Sequence, residues 1–584
     1  MASFQRGMAD EILGCLIAYI TDPRDRAAIS LVCRRWYELD ALTRKHVTIA
    51  LCYTTTPERL LNRFRNIESL KIKGKPRAAM FNLIPENWGA YATPWVNIVE
   101  SFRRLNSLHF RRMIVSDSDL ETIANAKGHV LESLKLDKCS GFSTDGLLHI
   151  GRSCRNLRTL FMEESSIAEI NGEWLHELAV NNTVLETLNF YMTYLDQIRF
   201  EDLEHIAKNC PLVSLKVTDC EISNLISILQ STATLEEFGG GSFREPADPE
   251  MYSLISFPSR LCSLCITYLG RNEMPLVFPA GHLLKKLDLV YALLGTEEHC
   301  ELIRRCPNLE ILEARTVIGD QGLETVSITC KKLRRLRIEP GADEQGMEDE
   351  LGVITQRGMI ALSTGCLKLE YIAFYTFDMT NKALESIGSN LKNLCDFRLV
   401  LLDREENIPD MPFDNGVRAL LIGCQKLRRF AFYVRPGGLT DVGLRYIGQF
   451  SENVRWILLG YAGLSDEGII TFSKGCPKLQ KLEMRGCCFS ERALAQAAVQ
   501  LRSLKYIWVQ GYRPSSTGTG LQAMARPFWN IELIPARREL VDSGNGVMVT
   551  VEHPAHLLAY YSLAGQRTDF PEDNSVIPLA LPEV

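Results

Sequence analysis

A short leucine pattern constrains this chain more than any other feature. It reads Leu131-Glu-Ser-Leu134-Lys-Leu136, then Leu157-Arg-Thr-Leu160-Phe-Met162, Leu333-Arg-Arg-Leu336-Arg-Ile338 and Leu479-Gln-Lys-Leu482-Glu-Met484. Copies return roughly every 25 residues, the length of a unit with one strand and one helix. A single copy cannot bury its own apolar face, so the copies must stack into one continuous core. Strand cores run from Ile67 to Leu504, and Asn530–Ile534 reads as a further one. Stacking in one dimension also lets 584 residues fold without one oversized core.

Between the strands the text is helical. Segments such as Ser143-Thr-Asp-Gly-Leu147 and Ser465-Asp-Glu-Gly-Ile469 open with a capping residue. The expected fold is an α/β leucine-rich-repeat solenoid, a horseshoe with strands inside and helices outside. The rhythm breaks three times, each time just after a strand, giving long loops at Lys73–Trp95, Glu339–Gln356 and Leu401–Asn415. Insertions at one slot emerge on one face, and long loops in compact proteins are usually functional.

The chain has 46% hydrophobic and 23% charged residues, as a soluble globular protein does, and a net charge of −6. That balance excludes a broadly basic nucleic-acid binder but not a local basic patch. No apolar run is long enough to span a bilayer, and the start Met1-Ala-Ser-Phe-Gln-Arg-Gly lacks a signal-peptide core, so an intracellular protein is expected. Among 18 cysteines, Cys154, Cys210, Cys306, Cys330, Cys366, Cys424 and Cys476 share one slot before the next strand. A buried thiol packing a helix end explains that slot better than disulfides. Cys262-Ser-Leu-Cys265 has metal spacing but lies inside a repeat strand with no second pair nearby, so a structural role is expected and no metal. Histidine is scarce, at ten residues, and no phosphate loop, HExxH or nucleophile–base pair is evident, so no enzyme is expected.

Alternation along each strand sends the second and third leucines into the core and the intervening and following residues to the concave wall. This rule assigns Lys71, Lys73, His109, Arg111, Lys135, Lys216, Arg337, Arg398 and Arg485 to the wall, with Arg77, Arg112, Lys138, Arg335 and Lys481 nearby. Cations gathered from distant repeats repel one another and call for an anion, which favours a polyphosphate. Tyr375, Tyr433 and Trp508 fall on the same wall, and Phe81 on the first long loop. Aromatic walls with a few arginines fit a pocket for a small amphipathic acid and fit a protein-binding concavity equally well.

The N-terminus reads differently. Leu13, Leu16, Ile17 and Ile20 line one helical face, Asp22-Pro23 breaks it, a second helix covers Arg24–Trp36, and a third lies around Leu39–His46. The segment Ser30-Leu-Val-Cys-Arg-Arg-Trp36 after Asp22-Pro23-Arg-Asp-Arg26 resembles an F-box, although Met8-Ala9 stands where many F-boxes carry Leu-Pro. That resemblance implies docking on the adaptor subunit of a cullin-type ubiquitin ligase. The expected organisation is an F-box at 1–48, the solenoid at 49–540 and a C-terminal cap and tail at 541–584, with Tyr560–Gly565 in the cap.

The stretch Lys73–Trp88 resembles the first loop of plant hormone-receptor F-box proteins. His109–Met113, Cys395–Asp403, Met484–Arg492 and Trp508–Tyr512 are similar to the jasmonate branch, the coronatine-insensitive family. The resemblance implies a co-receptor in which Arg77, Arg337 and Arg398 hold the carboxylate and amide oxygens of a jasmonoyl–amino-acid conjugate, jasmonoyl-isoleucine. Phe81, Leu83, Tyr375, Tyr433, Leu458 and Trp508 would wall that ligand. It also implies an inositol polyphosphate on Lys71, Lys73, Arg112, Arg335 and Lys481, and a jasmonate-ZIM-domain repressor touching Arg485. The implied location is the nucleus, or nucleus and cytoplasm, and no nucleic acid or membrane partner is expected. Pro340 and Tyr375–Thr380 depart from the usual stretches. An auxin-type receptor and a hormone-independent scaffold are the alternatives.

Overall fold

The computed structural model describes residues 11–77, 84, 86–243, 249–340, 353–402, 410–515, 520–524, 526–542, 548–571 and 574–577. Contacts divide the chain into a first unit (Met1–Cys220, Ser227–Leu235 and Arg567–Phe570) and a second (Glu221–Ile226, Glu236–Gln566 and Pro571–Val584). Both have the repeating strand and helix of a leucine-rich-repeat solenoid, and three short helices open the first.

Those three helices span 11–18, Pro23–Ile29 and Arg34–Thr43. Asp22 caps the second, its side chain accepting from the Arg24 N–H at 2.8 Å, and Pro23 takes the first turn as expected. Two boundaries correct the sequence reading. The second helix ends at Ile29, so Trp36 belongs to the third helix, and the third stops at Thr43. His46–Ile49 is then already a strand, too short to show the leucine pattern. Arg26 and Asp40 pin the helices together: Arg26 Nε lies 2.9 Å from Asp40 Oδ1, with side chains 5% and 0% exposed. Arg26 also donates to Ile17 O at 2.7 Å. Residues 1–10, including Met8-Ala9, lie outside the described residues.

In the first unit seven parallel strands of the described residues pair in chain order: His46–Ile49, Ser69–Lys73, Ser107–Arg111, Ser133–Asp137, Thr159–Phe161, Thr187–Asn189 and Ser214–Lys216. Leu70, Leu108, Leu134, Leu160, Leu188 and Leu215 occupy one register line, each no more than 1% exposed. Each such leucine contributes about 1.5–3 kcal/mol on burial.

In the second unit eleven strands of the described residues run parallel from Glu237–Ser242 to Tyr506–Gln510. The array then closes in a way the repeat does not foretell. His556–Tyr561 pairs antiparallel with Tyr506–Gln510 on one side and with Trp529–Ile534 on the other, and Ser575–Ile577 follows antiparallel. Trp529–Ile534 is thus a strand, as expected, but it is not the next parallel rung. A separate hairpin, Arg537–Asp542 with Met548–His553, joins the two strands.

Three devices recur along the repeats. The cysteine slot behaves as expected: Cys154, Cys330, Cys366 and Cys424 each follow a helix and are buried. Cys330 Sγ donates to Cys306 O, and Cys366 Sγ to Cys330 O, each at 3.6 Å. Burial pushes the Cys306, Cys330 and Cys424 thiols up to about 12, which keeps them protonated. The second device is a carboxylate cap between repeats. Asp117 accepts from the Ser143 N–H at 2.7 Å and hydroxyl at 2.8 Å, and Asp320 from those of Thr355 at 2.8 and 2.6 Å. Asp414 and Thr440, and Asp466 and Ser490, repeat the arrangement. The third is close helix packing: a Cβ on Gly423 would fall 1.9 Å from Gly388 O.

Candidate functional site

Strand register sorts the open face of each sheet into lines of side chains. In the second unit the middle line reads Arg337, Ala373, Arg398, Ala431, Leu458, Glu483, Trp508. The next line toward the strand ends holds Tyr375, Val400, Tyr433, Gly460, Arg485 and Gln510. The line on the other side holds Arg335, Tyr371, Asp396, Arg429, Trp456, Lys481 and Tyr506. Of the residues singled out from sequence, this unit therefore groups Arg335, Arg337, Tyr375, Arg398, Tyr433, Leu458, Lys481, Arg485 and Trp508 on adjoining lines. Tyr371, Arg429 and Trp456 share the face but were not foreseen. The wall rule counted two positions per strand, and alternation continues one step further back to a third.

Arg398 is the best-held cation. Its Nε and Nη2 fork onto Asp396 Oδ1 and Oδ2, each at 2.9 Å, and its side chain is 16% exposed. Its guanidinium carbon lies 5.2 Å from the Tyr371 ring centre and 5.3 Å from that of Trp456. Burial works against its charge, but the bond to Asp396 and the charges of Asp396 and Tyr371 together outweigh it and raise its pKa. Nη1 makes no hydrogen bond among the described residues. Arg337 is held by two carboxylates, with Nη1 3.2 Å from Glu313 Oε2 and Nε 2.5 Å from Glu339 Oε1. Burial again lowers its pKa, and Glu339 and Glu313 reverse the effect.

Arg337 and Arg398 each face carboxylates of their own, so the charge of these two arginines is offset within the chain.

Aromatic groups flank the arginines. Tyr433 meets Tyr461 edge-on at 5.5 Å, and Arg485 lies 5.7 Å from its centroid. The Tyr433 ring fills the space over its register partner Gly460, where a Cβ would come within 2.1 Å of it. Burial pushes the Tyr433 phenol up to about 12. Trp508 is 3% exposed and packs 5.5 Å from His556, and its indole Nε1 is buried with no hydrogen-bond partner among the described residues. Lys481 Nζ and Arg335 Cζ stand over Tyr506 and Tyr371, at 5.2 and 4.3 Å.

The first unit holds a different environment. Lys71, His109, Lys135, Phe161, Asn189 and Lys216 form one register line, and Lys73, Arg111 and Asp137 the next. Asp137 Oδ2 lies 3.2 Å from Arg111 Nε and 3.4 Å from His109 Nε2. Burial followed by the Arg111 charge lowers the Lys71 pKa, against the pull of Asp137. Burial also lowers that of His109, although its bond to Asp137 opposes the change. Lys71, Lys73, His109, Arg111 and Lys135 thus gather on two adjoining lines around Asp137. Arg112 adopts φ +53° and donates from Nε to Lys75 O at 2.8 Å, and Arg77 follows on the same loop. Phe81 and Leu83 lie outside the described residues.

Among the described residues no helix is long and apolar enough to cross a membrane, and no group of three or more His, Cys, Asp or Glu side chains could hold a metal ion. Cys265 is buried in the strand Ser263–Thr267, with Cys262 just before it.

Residues 5–46 match the family described as F-box, and residues 65–110 match the Transport inhibitor response 1 protein domain. Helices and repeats thus define an F-box protein built on a leucine-rich-repeat solenoid. The chain is 64% identical to Coronatine-insensitive protein 1 of Arabidopsis thaliana over 96% of its own length and 95% of the relative's. It is 57% identical to Coronatine-insensitive protein homolog 1b of Oryza sativa subsp. japonica, over 98% and 96%. Identity to GRR1-like protein 1 of Arabidopsis thaliana is 34%, over 96% of each chain. The chain belongs to the coronatine-insensitive family.

Proposed function

We propose that this protein is the substrate-recognition subunit of an SCF-type ubiquitin ligase and acts as a jasmonoyl-amino-acid co-receptor. Jasmonoyl-isoleucine lies on the open face of the repeats, and a jasmonate-ZIM-domain repressor closes over it for ubiquitination and degradation. The chain supplies recognition and no chemistry of its own, and it works in the nucleus. The carrying observation is the middle line of the second unit, where Arg337, Arg398, Leu458 and Trp508 set fixed donors among apolar walls. Arg398 supports this most directly. Asp396 fixes its plane by two bonds, and Nη1 remains to meet a ligand oxygen.

An inositol polyphosphate is proposed as a structural cofactor, with Lys71, Lys73 and Arg112 as its holders in the first unit. The two register lines that bring Lys71, Lys73, His109, Arg111 and Lys135 together around Asp137 support it. The adaptor subunit is proposed to cover the helical module, whose Ile12, Leu16, Tyr19, Leu31 and Val32 are all at least 58% exposed.

Arg398→Ala tests the reading. One charge-assisted hydrogen bond contributes ~1.5–3 kcal/mol, so conjugate-dependent repressor capture should weaken by ~10–100-fold while the array stays folded. Unchanged capture by the variant sinks the ligand assignment. Parallel captures with jasmonoyl-isoleucine, with auxin and with no ligand separate the alternatives. Capture with auxin selects the auxin-type receptor, and capture without ligand selects the scaffold.

A further inference from the structure

Residues Arg567–Phe570 are far along the chain, yet they belong to the first unit. Arg567 is almost wholly buried there, its side chain 4% exposed. Its guanidinium carbon lies 4.1 Å from the Trp88 ring centre and 4.5 Å from that of Tyr53, and Nη1 donates to Trp88 O at 2.6 Å. Tyr53 Oη donates to Asp569 and accepts from the Ala90 N–H at 2.6 Å. Burial raises the Tyr53 pKa, so the phenol keeps its proton. Gly89, at φ +108°, admits this crowding: a Cβ there would fall 2.5 Å from Tyr53 Oη and 2.8 Å from Arg567 Nη1.

Trp88–Ala90 is the returning leg of the first long loop, and it is gripped on its other side as well. Ile114 N–H donates to Ala90 O at 3.0 Å, and Ala92 N–H to Ile114 O at 2.8 Å. The departing leg meets it. Gly74 and Lys75 donate to Arg111 O and Arg112 O, each at 2.8 Å, and a Cβ on Gly74 would fall 2.8 Å from that of Ala90. Both legs are therefore fixed at one place, two residues before Arg77.

We infer that Arg567, with Tyr53 and Asp569, is a positioning clamp that sets the base of the first loop and hence where Arg77 is presented to an acidic ligand. A guanidinium suits the task because it stacks on two rings while donating in its own plane to a carbonyl. The clamp rests on the proposed function only in its second half, the reading of Arg77 as a ligand contact.

The test uses the full chain with its adaptor subunit. Hydrogen exchange followed by mass spectrometry reads the clamp directly. In Arg567→Ala, exchange in peptides covering 86–95 should rise ~10-fold or more, while peptides covering 131–162 stay unchanged. Conjugate titration of repressor capture then reads the consequence. The half-maximal concentration should rise ~10-fold with the plateau preserved, a split that general loss of folded protein does not produce. Unchanged exchange at 86–95 overturns the clamp. Raised exchange with an unchanged titration overturns the positioning role. If Arg567→Ala fails to fold, Tyr53→Phe, which removes one hydroxyl and keeps the ring, must show the same two effects or the inference falls. A wild-type chain that captures no repressor at any conjugate concentration sinks the proposed function, and exchange alone then decides the clamp.

Discussion

At the scale of single residues, the arginines and the lysines of the open faces answer to different physics. Arg337 and Arg398 carry their own carboxylates, so their charge is settled before any ligand arrives and their value lies in fixed direction. Lys71 and His109 are pushed toward neutrality by burial, with Lys71 and Lys135 adding to the effect at His109 and Arg111 at Lys71. A polyanion reverses that push. The free His109 pKa lies below its ordinary 6.5, and a bound polyanion raises it. Binding therefore takes up protons, and affinity increases as pH falls through the bound-state pKa. The increase is complete below the free-state pKa. Inositol hexasulfate suits the measurement because its own charge is constant over this range. Between about pH 7.5 and about pH 5.5 its affinity should rise ~3–10-fold, and His109→Gln should flatten the profile. An equal slope in both proteins would remove His109 from the site. Most of these positions were legible because side-chain alternation is strict. The carboxylate partners were not: Asp396 and Glu339 sit two residues from Arg398 and Arg337 on the same strands, where pairing depends on rotamers that the repeat does not encode, and Glu313 depends on which strand lies next.

At the scale of elements, the repeat is held by more than leucines. A carboxylate in the first turn of one helix accepts both the N–H and the hydroxyl of the next repeat's capping residue. That contact fixes where each helix begins relative to its neighbour. Its signal was present in the text, as Asp117 with Ser143 and Asp414 with Thr440, but it becomes visible only when successive repeats are set side by side. Asp414 is 7% exposed, so Asp414→Ala leaves the Thr440 N–H and hydroxyl without their acceptor. The loss should be about 1–2 kcal/mol, read as a lower urea midpoint with an unchanged slope. No shift in midpoint would reduce the cap to an ornament of the fold. The closing strands illustrate the opposite case. Alternation in Asn530–Ile534 marks a strand but says nothing of direction, and its partner His556–Tyr561 arrives only after the intervening hairpin. The helical module went astray at its boundaries for a related reason. Ser30–Cys33 interrupts a stretch whose composition favours one longer helix.

At the scale of the whole molecule, a net charge of −6 conceals an uneven distribution. The first unit concentrates cations about Lys71 and Arg111, with Asp137 as their shared carboxylate. In a repeat protein each unit is stabilised mainly by its neighbours, so repulsion between adjoining strands weakens the interfaces that carry the fold. A polyanion bound there offsets the repulsion and stabilises the native chain by mass action. At a free concentration 100 times its dissociation constant the gain is about 2.7 kcal/mol. Gentle removal of the proposed polyphosphate should therefore lower the melting temperature by a few degrees, on the order of 2–4 °C per kcal/mol or less for a chain of this size. Salt supplies the control. At about 1 M the screening length is about 3 Å, so added salt should restore part of the loss in stripped protein and do little for loaded protein. Lys71→Gln should make the stripped chain less sensitive to salt because it removes one member of the repelling set. Identical melting of stripped and loaded protein at low salt would mean that the cations are an ordinary solvated surface, and the structural polyphosphate would have to be abandoned.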